Sequence, residues 1–131
     1  MRIEPGKIRE FAQATGSENP AYFEDDCPPV PPTFLMSAAL WQPRDSPRPH
    51  EALGMDRRRV LHGEQEFRFH GPPPRGGTTL SVTIRIESVT TKTGRRGGTM
   101  RIGRIVTDFA DETGQLVAQG YSTTIETGEH G

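Results

Sequence analysis

The residues best suited to chemistry lie in one short turn, Thr15–Tyr22, which reads Thr-Gly-Ser-Glu-Asn-Pro-Ala-Tyr. Ser17 needs a neighbouring base before it can act near pH 7, and a tyrosine phenol such as that of Tyr22 is a poor substitute for an imidazole in proton transfer at that pH. Asn19 either faces a ligand or fixes its own turn through an Asx-type hydrogen bond. The turn therefore supplies no pair of groups for acid–base chemistry by itself.

Histidine, cysteine and carboxylate residues elsewhere form no recognisable catalytic or metal-binding pattern. The four histidines are scattered without the His or Cys spacing of a zinc site, so we expect no metal. His62 is either a site residue or a residue that packs at a strand start. The single cysteine, Cys27, excludes an internal disulfide and fits a reducing compartment. The carboxylates of Glu24–Asp26 are either an alternative base or a solvated loop.

The first third of the chain predicts helices joined by a rigid connector. Pro5–Thr15 is typical of a short amphipathic helix that Gly16 ends. The prolines of Pro28–Pro32 exclude helix and central strand. Thr33 can cap a helix over Phe34–Trp41, which is apolar almost all round and should be buried on most sides. Gln42–Asp56, with several prolines and charges, predicts a surface excursion.

From Val60 onward the apolar pattern changes to the period of two that is typical of strands. Leu80, Val82, Ile84 and Ile86 define one strand face. A glycine-rich hairpin loop is predicted for residues 93–98, and a tight turn over Asp111–Gly114 with glycine in the left-handed conformation. Further strands are predicted near residues 64–70, 100–109 and 117–125. Helices followed by antiparallel strands indicate a single α+β domain, residues 1–131, with the sheet curled around the apolar helix.

Composition limits the classes of partner. The net charge of −1 argues against a nucleic-acid or anionic-membrane surface. The short basic runs Arg57–Arg59 and Arg95–Arg96 are either solvated or in contact with a phosphorylated ligand such as coenzyme A. Leu, Ile, Val and Phe make up 25 of 131 residues, a thin core that predicts burial against a partner subunit. No apolar stretch approaches the ~20 residues of a membrane span, so we expect a soluble, cytoplasmic protein.

The Thr15–Tyr22 turn resembles the site motif of the MaoC-like (R)-specific hydratase family, Gly-Asp-x-Asn-Pro-x-His. Gly16, Asn19 and Pro20 match, whereas Ser17 stands where the family has Asp and Tyr22 where it has His. Gly76–Gly77, where many relatives carry Gly-Asp, and the short central helix depart from the pattern. Similarity to non-catalytic halves and accessory subunits of such dehydratases extends over further segments: Lys7–Ala12, Tyr22–Asp25, Pro31–Phe34 and Leu61–Phe67.

The resemblance implies a hot-dog fold and an accessory role. In the family, Asp and His act on a water at the C2–C3 double bond of an acyl thioester. This chain then has no catalytic residue and needs no redox cofactor or metal. It lends one wall of the acyl groove to a catalytic hot-dog subunit. The two form a heterodimer or heterotetramer, or else this chain pairs with itself as a homodimer. The ligand implied is an acyl-coenzyme A or acyl-carrier-protein thioester. The expected substrate-binding residues are Asn19, Tyr22, Phe34, Trp41 and His62.

Two alternatives remain open from the sequence. One is a homodimeric hydratase or thioesterase that uses unconventional residues such as Tyr22, His62 or Asp25. The other is a non-reacting module that holds acyl thioesters. For Phe34 and Trp41, packing in the core is the alternative to lining an acyl channel.

Overall fold

The computed structural model describes residues 1–94 and 98–128, and its elements follow the predicted order of helices and then strands. Part of the predicted 93–98 hairpin loop, including Arg95–Arg96, and His130 lie outside the described residues. The helices precede the sheet along the chain: α1 Pro5–Ala14, α2 Pro49–Ala52, and 3₁₀ helices at Pro20–Tyr22, Phe34–Trp41 and Arg57–Arg59. The strands are β1 Val60–Phe69, β2 Ser81–Thr93, β3 Thr99–Ala110 and β4 Leu116–Glu126.

Helix α1 forms where the sequence predicts it. Pro5 occupies its first turn, where the missing N–H has no intrahelical partner to lose, and Ile8 and Ala12 are buried one turn apart. The chain leaves the helix at Gly16, whose φ of +70° is a left-handed conformation that side chains disfavour. The backbone N–H of Ser17 donates to the carbonyl of Ala12 across this end, at 2.9 Å. The helix therefore ends at a fixed point immediately before the motif turn.

The Phe34–Trp41 segment differs from its prediction in helix type and in burial. It is a 3₁₀ helix, in which side chains three apart lie on one line. Phe34, Leu35 and Ala38 are buried, whereas Leu40 is 86% and Trp41 48% exposed. The expectation that this helix is buried on most sides is therefore wrong: its buried residues lie between positions 34 and 38, and its C-terminal end is left uncovered.

The strands form one four-stranded sheet in the order β1-β4-β3-β2. The predicted tight turn joins β3 to β4, with Gly114 at φ +85°. The carboxylate of Asp111 accepts hydrogen bonds from the backbone N–H groups of Thr113 and Gln115 at 2.9 and 3.0 Å. The hydroxyl of Thr113 also donates to this carboxylate. Its hydrogen bond is the largest cause, and with the backbone hydrogen bonds it holds the pKa of Asp111 below its ordinary value. The turn fixes the pairing of the two strands it joins.

The chain divides into two compact units, and all four strands contribute residues to both. The first unit comprises residues 1–42, 67–83 and 108–119. Its core joins the helical segments to the strand ends, and half-buried aromatic residues such as Phe11 and Phe67 pack against it. The buried members of this core are Ile3, Ile8, Val30, Phe34, Leu35, Ala38, Leu80, Phe109 and Ala118.

The second unit comprises residues 43–66, 84–107 and 120–131. Leu53 and Met55 are buried in it against Ile105, so the prediction of a wholly surface-exposed Gln42–Asp56 excursion is wrong at its end. A Cβ atom at Gly103 would lie 2.5 Å from Leu53. The absence of a side chain at Gly103 therefore lets Leu53 pack directly on the backbone of β3.

A buried carboxylate holds the second unit together. Glu126 is 6% exposed and accepts a hydrogen bond from the backbone N–H of Asp56 at 2.7 Å. The guanidinium groups of Arg59 and Arg101 each donate to it at 3.2 Å. Arg101 also donates to the carbonyl groups of Leu53 and Gly54 at 3.0 and 2.9 Å. The hydrogen bond from Asp56, and then the two arginines, hold the pKa of Glu126 below its ordinary value of 4.5.

We expect Glu126→Gln to lower the free energy of unfolding at pH 7 by about 1–3 kcal/mol, because it removes charge-assisted hydrogen bonds. A carboxylate with a lowered folded-state pKa stabilises the fold above its unfolded pKa, and that stabilisation is lost as the pH falls through the folded-state pKa. The difference between wild type and variant should therefore shrink as the pH falls below about 4. Urea denaturation at pH 7 and below pH 4 measures it, with exposed Glu112→Gln as the matched control. A difference in unfolding free energy that does not change with pH would contradict the role of Glu126 as an ionised, hydrogen-bonded carboxylate.

Candidate functional site: the motif turn and the adjoining cavity

The motif turn is held by backbone geometry and by Asn19. The Asn19 side-chain oxygen accepts from the backbone N–H of Ala21 at 3.0 Å and caps the Pro20–Tyr22 3₁₀ helix. The hydroxyl oxygen of Ser17 accepts from the N–H of Asn19 at 3.4 Å. Of the two roles predicted for Asn19, the turn-fixing hydrogen bond is therefore present, and a ligand contact stays a prediction.

Ser17 and Tyr22 stand at the two ends of this turn in different surroundings. Ser17 is half-buried and its hydroxyl contacts the turn backbone. Tyr22 is half-buried and packs against the apolar core of the first unit. The stretch Gly16–Tyr22 contains neither Asp nor His. The turn therefore contains no Asp–His pair that could exchange protons near neutral pH.

The carboxylates that follow the turn are tied into a loop. Asp25 accepts from the backbone N–H of Cys27 at 2.8 Å and forms an ion pair with the guanidinium of Arg75. Arg75 also donates to the carbonyl of Cys27 at 2.8 Å. Asp25, predicted either as an alternative base or as part of a solvated loop, is thus a link between two loops of the first unit.

A cavity of about 500 Å³ lies in the first unit beside α1 and the Phe34–Trp41 helix. Phe34 and Trp41, both predicted to face an acyl chain, line it, and the rings of Phe11 and Phe34 meet edge to face at 5.5 Å between centroids. Asn19 and Tyr22 are not among the described residues that line it. The full lining is Arg2, Lys7, Glu10, Phe11, Ala14, Phe34, Ser37, Leu40 and Trp41.

Sequence reasoning missed the polar part of this lining. Ser37 is the one hydroxyl in an otherwise apolar octapeptide, and its oxygen is buried with no hydrogen-bond partner among the described residues. That lone hydroxyl was a visible signal in the sequence. The charged residues Arg2 and Lys7 gave no such signal, because only the fold brings them to the cavity.

His62 lies in the second unit and so belongs to different surroundings from the other four predicted site residues. It is exposed, and its ring nitrogen lies 3.4 Å from the hydroxyl oxygen of Ser122. Within residues 1–94 and 98–128, no group of three or more His, Cys, Asp or Glu side chains is placed to hold a metal ion. No helix in the described part of the chain is long and apolar enough to cross a membrane.

Comparison with known families identifies the chain. The family described as "FAS1-like, dehydratase domain region" matches residues 1–120. The chain belongs to this dehydratase-domain family. A UPF0336 protein of Streptomyces griseus is 38% identical over 119 residues, which cover 85% of this chain and 75% of that relative.

Several solved structures share the fold. A MaoC-like dehydratase matches with a TM-score of 0.78 and 20% identity, over 96% of this chain and 38% of that one. The Mycobacterium tuberculosis HadBC (3R-hydroxyacyl-ACP dehydratase) complex matches with a TM-score of 0.67 and 23% identity, over 95% and 88%. The ChsH1–ChsH2 complex of the same organism matches with a TM-score of 0.72 and 16% identity, over 100% and 82%. The predicted α+β hot-dog fold is therefore confirmed.

The hydrogen bond of Asn19 gives a stability prediction. We expect Asn19→Ala to lower the free energy of unfolding by about 1 kcal/mol, because the N–H of Ala21 loses its cap. Asn19→Asp keeps an acceptor oxygen at the same place and should stay within a few tenths of a kcal/mol of wild type. Denaturation curves of the three proteins make the comparison. Equal stability of Asn19→Ala and wild type would show that the cap contributes nothing.

Proposed function

We propose that this chain is the accessory, substrate-groove-forming subunit of an (R)-specific enoyl-thioester hydratase or 3-hydroxyacyl dehydratase. One observation carries the proposal: the family's motif turn is kept by Gly16 and Asn19, while Ser17 and Tyr22 replace the Asp and His that handle protons. Under this proposal a partner hot-dog subunit supplies that catalytic pair.

The proposed reaction explains why the missing pair matters. In hydration, a base takes a proton from water, the resulting hydroxide adds to C3 of the enoyl thioester, and an acid delivers a proton to C2. Dehydration is the reverse, with no net oxidation or reduction. Two titratable groups of different character are needed at one water, and a serine–tyrosine pair does not provide them near pH 7.

Uncovered apolar side chains on the sheet support a partner subunit. Ile84 and Ile86, which the sequence places on one face with Leu80, are each 47% exposed on β2, and Leu61 on β1 is 58% exposed. The HadBC and ChsH1–ChsH2 neighbours are both complexes, as their names state. A second hot-dog subunit docked against β1 would remove Leu61 from water and add to the thin core, whereas Ile84 and Ile86 lie on the strand at the opposite edge of the sheet.

The outer edge of β1 is the partner surface we favour. The strand order places β1 and β2 at the two edges of the sheet. The N-terminal residues pair beside the start of β2, where the N–H of Leu80 donates to the carbonyl of Met1 at 2.8 Å and Arg2 bridges Thr79. An unpaired edge strand offers backbone donors and acceptors to a second strand, and exposed Leu61 adds apolar contact there.

Co-expression tests the function. The chain together with a hot-dog subunit that carries an intact Gly-Asp-x-Asn-Pro-x-His motif should hydrate enoyl-coenzyme A substrates, followed by loss of absorbance of the conjugated thioester. The chain alone should not, because it lacks the proton-handling pair. Turnover by the lone chain at enzyme-like rates would instead support the homodimeric alternative, and ligand binding without activity in any pair would support the binding-module alternative.

A variant pair sharpens that test. In the lone chain, Ser17→Asp with Tyr22→His restores both family residues at the two ends of the turn. We expect measurable hydration activity from the double variant and none from either single variant, because the reaction needs an acceptor and a donor together. If the double variant were no more active than the wild-type chain alone, positions 17 and 22 would not correspond to the family's Asp and His positions.

The β1 edge gives an assembly prediction. Leu61→Lys should weaken association with the catalytic subunit by at least about tenfold, because it places a charge in an apolar interface. Exposed Val89→Lys, on the opposite edge strand β2, is the matched control and should assemble as wild type does. Sedimentation velocity of mixed subunits measures both. If Val89→Lys disrupted assembly and Leu61→Lys did not, the partner edge would be β2.

A further inference from the structure

Strand β2 has a long, uncovered edge. It lies at one end of the sheet order, and among the described residues no other strand pairs along its outer side. Every residue of β2 except Val82 is exposed, and the large side chains of Ile84, Ile86 and Val89 keep 47%, 47% and 46% of their surface. Residues 81–91 contain neither proline nor glycine, which would weaken strand pairing. Such an edge is a template for a further strand.

The N-terminal segment shows which backbone groups of β2 face this edge. The N–H of Leu80 donates to the carbonyl of Met1 at 2.8 Å, and the amino group of Met1 donates to the carbonyl of Leu80 at 2.7 Å. Backbone groups alternate in direction along a strand, so every second residue after Leu80 directs its N–H and carbonyl to the same edge. A second strand could therefore exchange hydrogen bonds with Ile84, Ile86 and Ser88.

We propose that β2 pairs antiparallel with β2 of a second copy of this chain, across a two-fold axis at Ile86. Each Ile86 then lies opposite its own copy, and each Arg85 lies opposite Glu87 of the other copy. Facing β-branched residues and opposite charges both stabilise adjacent strands. The two copies use the same surface, so the pairing closes at two copies and leaves the β1 edge of each one open.

The charges of β2 select this register. An axis at Arg85 would place two arginines face to face, and an axis at Glu87 would place two glutamates face to face, and like charges directly opposite destabilise a strand pair. Glu87 already forms an ion pair with Arg104 at 2.7 Å. In the paired register its carboxylate lies between two guanidinium groups, and its two oxygens can accept from both.

The length of the open edge fits the same register. The N-terminal segment covers the edge at residues 78–80, where the N–H of Ile3 donates to the carbonyl of Thr78 at 2.8 Å and Met1 pairs with Leu80. An axis at Ile86 pairs residues 81–91 of one copy with residues 91–81 of the other. The pairing therefore begins directly after the stretch that the N-terminal segment covers.

Sedimentation velocity of the lone chain over a dilution series tests the interface. We expect a reversible equilibrium between monomer and dimer at micromolar concentrations. Ile86→Lys should weaken it by at least about tenfold, because two ammonium groups then face each other at the axis. Leu61→Lys, at an exposed apolar residue of the opposite edge strand, is the matched control and should dimerise as wild type does. A lone chain that stays monomeric, or a dimer that Ile86→Lys does not weaken, would overturn the proposal.

A cysteine at the axis tests the register. In a Cys27→Ser background, Ile86→Cys should form an intermolecular disulfide on oxidation by copper–phenanthroline in air. Residues that exchange hydrogen bonds across an antiparallel pair have Cα atoms about 5.5 Å apart, within the range of a disulfide. Ile84→Cys in the same background is the matched control and should stay unlinked, because its own copy lies four positions along the strand, about 13 Å away. Non-reducing electrophoresis measures both, and faster linkage of Ile84→Cys would show that the register is wrong.

The self-pairing does not rest on the function proposed above, and the Ile86→Lys variant keeps the two apart. This variant should still bind the catalytic subunit and support hydration, because its β1 edge is unchanged. Its complex should contain one copy of each subunit, whereas the wild-type complex should contain two. Equal masses of the two complexes would overturn the role of β2. If no catalytic subunit binds at all, the proposed function fails, while the lone chain still decides the self-pairing.

Discussion

The packing of Phe34, Leu35 and Ala38 in the core is the constraint on which the rest of the first unit depends. The same helix leaves Leu40 and Trp41, at its C-terminal end, exposed. The exposed end of the helix also borders the cavity beside α1, because Leu40 and Trp41 both line it.

The motif turn depends on different residues from those that do chemistry in the family. Gly16 supplies the left-handed conformation and Asn19 supplies the cap, and neither interaction involves the side chain of Tyr22. The cap of the turn therefore does not need the Tyr22 side chain, whereas the Ser17 hydroxyl takes part in the turn by accepting from the N–H of Asn19 at 3.4 Å. Under the proposed function, this is how the turn can match the family motif at Gly16, Asn19 and Pro20 without its acid–base pair.

Features set by local sequence were predictable, and features set by tertiary contact were not. Helix α1 and the Asp111–Gly114 turn follow from proline, glycine and short-range hydrogen bonds, and the strands follow from a period of two. The helix type at Phe34–Trp41 and the burial of Leu53 against β3 depend on which surfaces other segments offer. Of the predicted site residues, Phe34 and Trp41 line the cavity, whereas His62 lies in the second unit. His62 was misjudged because the sequence of a strand does not show which residues of other segments surround its side chains.

Under the proposed function, the chemistry available to this chain is positioning alone. The cavity lining includes an ion pair and a further cation, and neither has to change its charge during hydration or dehydration. Such contacts stabilise bound substrate and transition state to similar extents, so they contribute through orientation and local concentration. Under this function, selection would act on the apolar wall of the groove and would leave the Ser17 and Tyr22 positions free to drift from their catalytic identities.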